Sequence, residues 1–128
     1  MEHDGAILLI EDDYIDIMDL QRAFKKLNIN RPMYIAHNGR EALDKLYGRS
    51  AEKMDPFPSV IYLDLNMPKM NGFEFLKILR NDPKMKDIKV YVLTTSDEAI
   101  DKAEVEKLGI SGYIIKPFFK SAMEISKW

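Results

Sequence analysis

Six polar side chains stand directly after apolar runs. Glu11, Asp12 and Asp13 follow Ala6-Ile7-Leu8-Leu9-Ile10, and Asp64 follows Val60-Ile61-Tyr62-Leu63. Thr94 follows Val90-Tyr91-Val92-Leu93, and Lys116 follows Gly112-Tyr113-Ile114-Ile115. Carboxylates gathered in one place repel one another and raise at least one pKa. A divalent cation removes that penalty. Oxygen donors favour a hard ion, and Mg²⁺ commonly takes one or two carboxylates, retained waters and phosphate oxygens. Asp64 could then attack phosphorus as a nucleophile. The metal, the Lys116 ammonium and the Thr94 hydroxyl could each bind one equatorial oxygen of the group in flight. No histidine or cysteine is needed for this chemistry.

Such groups converge only if regular elements carry them. Ala6–Ile10 is a continuous apolar run, as expected of a central parallel strand covered on both faces. Ile17, Leu20, Phe24 and Leu27 recur at helical spacing and predict a helix ending near Asn28. Pro32–Ala36 is the second strand. Asn38 and Glu41 form a capping pair for a helix whose apolar stripe is Ala42, Leu43, Leu46 and Tyr47. Gly48 to Pro58 is polar, punctuated by the breakers Pro56 and Pro58, and predicts a long exposed loop.

Val60–Leu63 predicts the third strand, ending at Asp64. Asn71 and Glu74 cap a helix through Arg80 that stops before Pro83. Val90–Leu93 is the fourth strand, ending in Thr94-Thr95-Ser96. A helix from about Asp97 to Leu108, with a thin stripe of Ala99, Ala103 and Leu108, closes on Gly109. Gly112–Ile115 is the fifth strand, and a short last helix runs from about Lys120 to Ser126. Alternating strands and helices imply an α/β layer fold with a mostly parallel sheet. Right-handed crossovers put helices on both faces. Ligands in such sheets bind beyond the carboxyl ends of the strands, where the polar groups lie.

The 128 residues suit a single domain spanning 1–128, with no output domain. There is no cysteine, which excludes disulfides and thiolate metal sites and agrees with a cytoplasmic location. Met1 to Gly5 lacks the basic and apolar segments of a secretory signal. No apolar run approaches the roughly 18 residues of a membrane span, so no membrane association is expected. With 19 basic and 21 acidic residues the net charge is -2, and no basic stripe favours nucleic acid.

Four segments in order resemble the signatures of response-regulator receiver domains. They are Ile7-Leu8-Leu9-Ile10-Glu11-Asp12-Asp13, Leu63-Asp64-Leu65-Asn66-Met67-Pro68-Lys69-Met70-Asn71-Gly72, Thr94-Thr95-Ser96 and Gly112-Tyr113-Ile114-Ile115-Lys116-Pro117-Phe118. The resemblance covers nearly the whole chain. It implies a flavodoxin-like, doubly wound, five-stranded parallel sheet of order 2-1-3-4-5 with helices on both faces. It implies that Asp64 is the phosphoacceptor, that Asp12 binds Mg²⁺ directly, that Glu11 acts through a water and that Asn66 offers its backbone carbonyl. Thr94 and Lys116 would bind phosphoryl oxygens, Thr94 and Tyr113 would form the switch pair, and Lys116–Pro117 would be a cis bond.

The donor would be the phosphohistidine of a sensor histidine kinase. The loop after the second helix and the Asp64 block further resemble small regulators paired with bacterial phytochromes, which implies a light-sensing kinase. With no output domain, the chain would act by binding a downstream protein or by passing the phosphoryl group to a histidine phosphotransferase. It would be a monomer or a phosphorylation-dependent dimer. Fewer residues follow Phe118 than is usual in the family, which weakens the case for dimerisation through the last helix.

Other readings compete with this one. A Mg²⁺-dependent phosphohydrolase would want a second aspartate two residues beyond Asp64, where Asn66 stands, and a cap to bind substrate. The chain is therefore expected not to be an enzyme in the ordinary sense. A flavodoxin-like cofactor module would need a hydroxyl- and amide-rich loop after the first strand, where three acids stand instead. A pseudo-receiver that takes no phosphate has no support among the strand-end residues. Asp13 is open between a site acid and a helix cap. His37 is expected in a solvated turn and His3 in a frayed terminus. Phe118 and Phe119 could offer an apolar contact to a partner.

Overall fold

The computed structural model describes residues 5–50, 53–65, 71–95 and 102–116. In chain order they form β1 (Ala6–Ile10), α1 (Tyr14–Lys26), β2 (Met33–Ala36), α2 (Gly39–Leu46) and β3 (Pro58–Asp64). These are followed by α3 (Gly72–Asn81), β4 (Lys89–Thr95), α4 (Lys102–Glu106) and β5 (Gly112–Lys116). The strands make one parallel sheet in the order β2-β1-β3-β4-β5.

Strand alternation divides the core in two. Leu8, Ile10, Ile61, Leu63, Val90 and Val92 face a cluster with Leu43 of α2, Phe75 and Leu76 of α3, and Val105 of α4. Ile7, Leu9, Val60, Tyr62, Tyr91, Leu93 and Ile114 face the opposite cluster, where α1 supplies Ile17, Leu20, Ala23 and Phe24. Both faces of β1 are therefore dry, which explains its unbroken apolar run. Each fully buried Leu or Ile contributes about 2 kcal/mol. Across the α1 face the Phe24, Tyr62 and Tyr91 rings form a chain with centroid spacings of 5.5 and 5.7 Å.

Helix ends follow the sequence closely. Asp13 is the N-cap of α1 and accepts from the amides of Ile15 and Asp16, so the open question about this acid resolves as a cap. Asn28, just past α1, has φ 57°, a left-handed value that a short polar side chain tolerates. Asn38 and Asn71 accept from the Glu41 and Glu74 amides at 2.8 and 2.9 Å. The Glu41 carboxylate reaches one residue beyond its cap, accepting from the His37 amide at 2.7 Å and lying 3.1 Å from His37 Nδ1.

Leu27 and Tyr47, expected in the apolar stripes, are the exposed C-caps of α1 and α2, and two further expectations need correcting. β3 begins at Pro58, two residues before the predicted Val60, and pairs there with Ala6. Proline is admitted because it is the first residue of the strand, where the missing N–H removes little of the ladder. The loop before it is correspondingly shorter. In α4 the buried residue is Val105, whereas Ala103 of the predicted stripe is exposed. Gly109 ends this segment at φ 71°, as its position predicts. The predicted start of this helix, the last helix and Ser96 lie outside the described residues, as do Asn66, Pro117, Phe118, Phe119 and His3.

Candidate functional site

Strand order reverses between β1 and β3, so these neighbours open the crevice of the sheet at their carboxyl ends. Ile10 pairs with Leu63, which sets Glu11 level with Asp64. Asp64 pairs with Leu93, and Thr94 and Thr95 pair with Ile115 and Lys116. The later strands therefore extend past Asp64. Alternation assigns faces: Glu11, Asp64 and Lys116 share the parity of the α1-facing residues, while Thr94 and Tyr113 share that of the α3- and α4-facing residues.

Three carboxylates meet here. Glu11, Asp12 and Asp64 each offer an oxygen, and these oxygens lie within 4.8 Å of one another. Glu11 is fully buried, Asp64 is 6% exposed and Asp12 faces solvent. The Lys116 ammonium lies 2.7 Å from Glu11 Oε1, 2.9 Å from Asp16 Oδ2 and 3.5 Å from Asp64 Oδ2. Its approach to Oε1 falls off the hydrogen-bonding direction, so that buried oxygen has an ion partner but no hydrogen-bond partner among the described residues. Glu11 Oε2 accepts from the Asp13 amide at 3.2 Å.

Electrostatics follow from the crowding. Burial, then the hydrogen bond and charge of Asp64, push the Glu11 carboxyl up to about 8, against the opposing pull of Lys116. Burial alone would lower the Lys116 pKa. The carboxylates of Glu11, Asp16 and Asp64 outweigh it and raise the pKa above the ordinary lysine value. A hard cation suits this set. Among the described residues it would find carboxylate oxygens, an excess of negative charge, and a buried oxygen with no hydrogen bond to lose.

The remaining predicted residues stand around this centre. Thr94 is buried at the end of β4, and its Oγ1 donates to the Thr95 carbonyl oxygen at 3.1 Å. Tyr113 is half-buried against the α3 and α4 side, with Lys102 Nζ 5.4 Å from its ring centroid. Its hydroxyl is buried with no hydrogen-bond partner among the described residues. Burial, with Glu106 second, raises its pKa. The roles expected of the Asn66 carbonyl and the Pro117 bond fall on residues outside those described.

Three residues matter here that the sequence reading did not single out. Asp16 sits in the first turn of α1, three residues after its cap, and reads in sequence as one more acid on a solvated face. Gly72 opens α3 so close to β3 that a Cβ would stand 2.5 Å from the Asp64 carbonyl oxygen and 2.6 Å from Leu65 Cα. Its amide donates to the Leu65 carbonyl at 3.0 Å, and the Asn-Gly pair at the helix start was the available signal. Arg80 donates to the carbonyls of Leu108, Gly109, Lys86 and Ile88 at 2.6 to 3.0 Å, tying α3 to the α3–β4 and α4–β5 connections.

A doubly wound sheet with clustered acids at its switch point and a lysine from the last strand defines an α/β protein built to manage anionic groups. The family described as the response regulator receiver domain matches residues 7–126, and the chain belongs to it. Response regulator Rcp1 of Synechocystis sp. is 34% identical over 111 residues, covering 87% of this chain and 76% of that protein. The Mn²⁺-bound crystal structure of response regulator Rcp1 is 32% identical, with TM-score 0.83, over 94% of this chain and 91% of that one. A two-component response regulator from Legionella pneumophila is 44% identical, with TM-score 0.83, over 94% of both chains. The bacteriophytochrome response regulator RtBRR is 32% identical, with TM-score 0.80, over 97% of this chain and 78% of that one.

The chain is accordingly a two-component response regulator of chemotaxis-receiver type. Receiver domains are signalling proteins that interact with histidine kinases, not enzymes in the ordinary sense. They bind Mg²⁺ or Mn²⁺ in an acidic pocket, and this chain gathers Glu11, Asp12 and Asp64 into an acidic cluster. No helix among the described residues is long and apolar enough to cross a membrane.

Proposed function

We propose that the chain accepts a phosphoryl group on Asp64 from a kinase phosphohistidine and that this alters the surface it offers to partners. One observation carries the reading. The buried carboxylate of Asp64 sits at the switch point with two carboxylates beside it and the Lys116 ammonium 3.5 Å away. A carboxylate oxygen of Asp64 forms the new O–P bond as the donor's N–P bond breaks, and the leaving imidazole takes up a proton.

Asp12, Asp64, Glu11 through a water and the Asn66 carbonyl would hold Mg²⁺. When bound, Mg²⁺ supplies positive charge that offsets the carboxylates and the transferred oxygens. Lys116 and Thr94 bind the remaining phosphoryl oxygens. Thr94 moves toward the phosphoryl group, and Tyr113, whose hydroxyl has no hydrogen-bond partner among the described residues to give up, fills the space behind it. This is a population shift biased by local charge.

Likeness to the bacteriophytochrome response regulator RtBRR supports a light-sensing histidine kinase as donor. The downstream step is binding of a target protein or transfer to a histidine phosphotransferase. Incubation with acetyl phosphate and Mg²⁺ tests the acceptor role, with intact mass as the readout. An adduct that disappears with a chelator and in Asp64→Ala is expected. If neither acetyl phosphate nor beryllofluoride leaves any trace on the wild-type protein, the reading fails.

A further inference from the structure

Lys116 is held from three sides, and not equally. Its ammonium is within charge-assisted hydrogen-bond distance of Glu11 at 2.7 Å and of Asp16 at 2.9 Å. Asp64 Oδ2, at 3.5 Å, is the most distant of the three. Asp16 reaches the ammonium across 100 positions of sequence because α1 packs on the face of the sheet to which Glu11, Asp64 and Lys116 belong. Its carboxylate is only 23% exposed, so water screens the pair weakly.

We propose that Asp16 is a latch on Lys116: it draws the ammonium to the α1 side at rest, and a phosphoryl group on Asp64 must take the ammonium from it. The proposal rests on the phosphoacceptor reading. An ammonium has three N–H donors. Asp16 engages one of them and Glu11 holds the ammonium as an ion partner, and the incoming oxygens need the ammonium closer to Asp64 than these two allow. Negative charge added at Asp64 also repels Asp16, so the same event that recruits Lys116 loosens its resting partner. Because Asp16 lies in the first turn of α1, release is felt by the backbone from Tyr14 to Ile17. Asp16 is a positioning residue acting through Lys116.

Beryllofluoride binding at saturating Mg²⁺, followed by ¹⁹F NMR, tests this in the full chain. Asp16→Asn keeps the shape and the helix while removing the charge, and it is expected to bind beryllofluoride about fivefold more tightly than wild type. Asp16→Glu restores a carboxylate and is expected to return to within twofold of wild type, roughly the scatter of such contacts. Amide signals of Tyr14 to Ile17 should shift on binding in wild type and much less in Asp16→Asn. A merely structural role in α1 moves neither affinity nor these shifts. Equal or weaker binding by Asp16→Asn overturns the latch while leaving the acceptor reading intact. Absence of binding by wild type overturns both, and the Asp64→Ala control, which must not bind, tells specific from adventitious signal.

Discussion

Gly72 and Asp64 approach so closely that no side chain fits between them: a Cβ on Gly72 would lie 2.5 Å from the Asp64 carbonyl oxygen. The obstacle is backbone, which cannot swing aside as the end of a flexible side chain could. Gly72→Ala must therefore push α3 away from the end of β3. A loss of about 2 kcal/mol in urea unfolding is expected, with slower phosphorylation of the folded fraction because Asp64 moves with its strand. Unchanged stability would mean that the helix start yields at no cost.

The raised Glu11 carboxyl gives the metal-free protein a pH signature. A carboxyl that ionises at about 8 when folded and near 4.5 when unfolded binds more protons in the folded state between those values. Stability from this group is present below the unfolded value and is lost as pH rises through the folded one. In chelator, the melting temperature should fall by several degrees between pH 5 and about pH 8. Glu11→Gln should flatten that dependence in a pH series of thermal melts.

Asp12 is the solvent-facing member of the acidic cluster, so its loss leaves the core untouched. Asp12→Asn should weaken Mg²⁺ binding at least about tenfold by isothermal titration calorimetry, with little change in unfolding. A large loss of stability without loss of affinity would contradict the metal assignment.

Thr94 belongs to the other side of the sheet from Glu11, Asp64 and Lys116. Thr94→Ala should still form the phosphoryl adduct by mass, while the ring signals of Tyr113 stop responding to it. Partner binding should fall more than phosphorylation does. If the phosphorylated variant bound its partner as well as wild type, the link from Thr94 to Tyr113 would be abandoned.

Arg80 joins four carbonyl oxygens from two connections. Arg80→Ala should cost about 3 kcal/mol, and Arg80→Lys should recover little, because a single ammonium cannot span the fork of a guanidinium. Denaturant unfolding of the three proteins measures both.

The strands, their order and the acids at their ends were legible because each depends on local pattern: dry runs, capping pairs, and a polar residue where a run stops. The part of the site made by distance was not legible. Asp16 meets Lys116 only after α1 is laid across the sheet, and nothing around Asp16 distinguishes it from Asp19 in a string of letters. Arg80 likewise looked like a basic residue at a helix end, where such residues are common. The Asp13 ambiguity had the same origin, since a cap and a ligand call for the same side chain. Where β3 begins was misjudged because Pro58 was weighed as a breaker and not as the first residue of a strand.

Among the described residues the sheet is a wall dry on both faces, and its buried polar groups gather along the carboxyl rim. Ile10 and Leu63 seal one side beneath the crevice, and Leu93 and Ile114 seal the other. Asp64 and Lys116 stand on the α1 side of that rim and Thr94 on the α3 and α4 side, so a group bound there touches both sides at once. The two surfaces can therefore drift apart in evolution, each fitted to a different protein, so long as the rim itself is left alone.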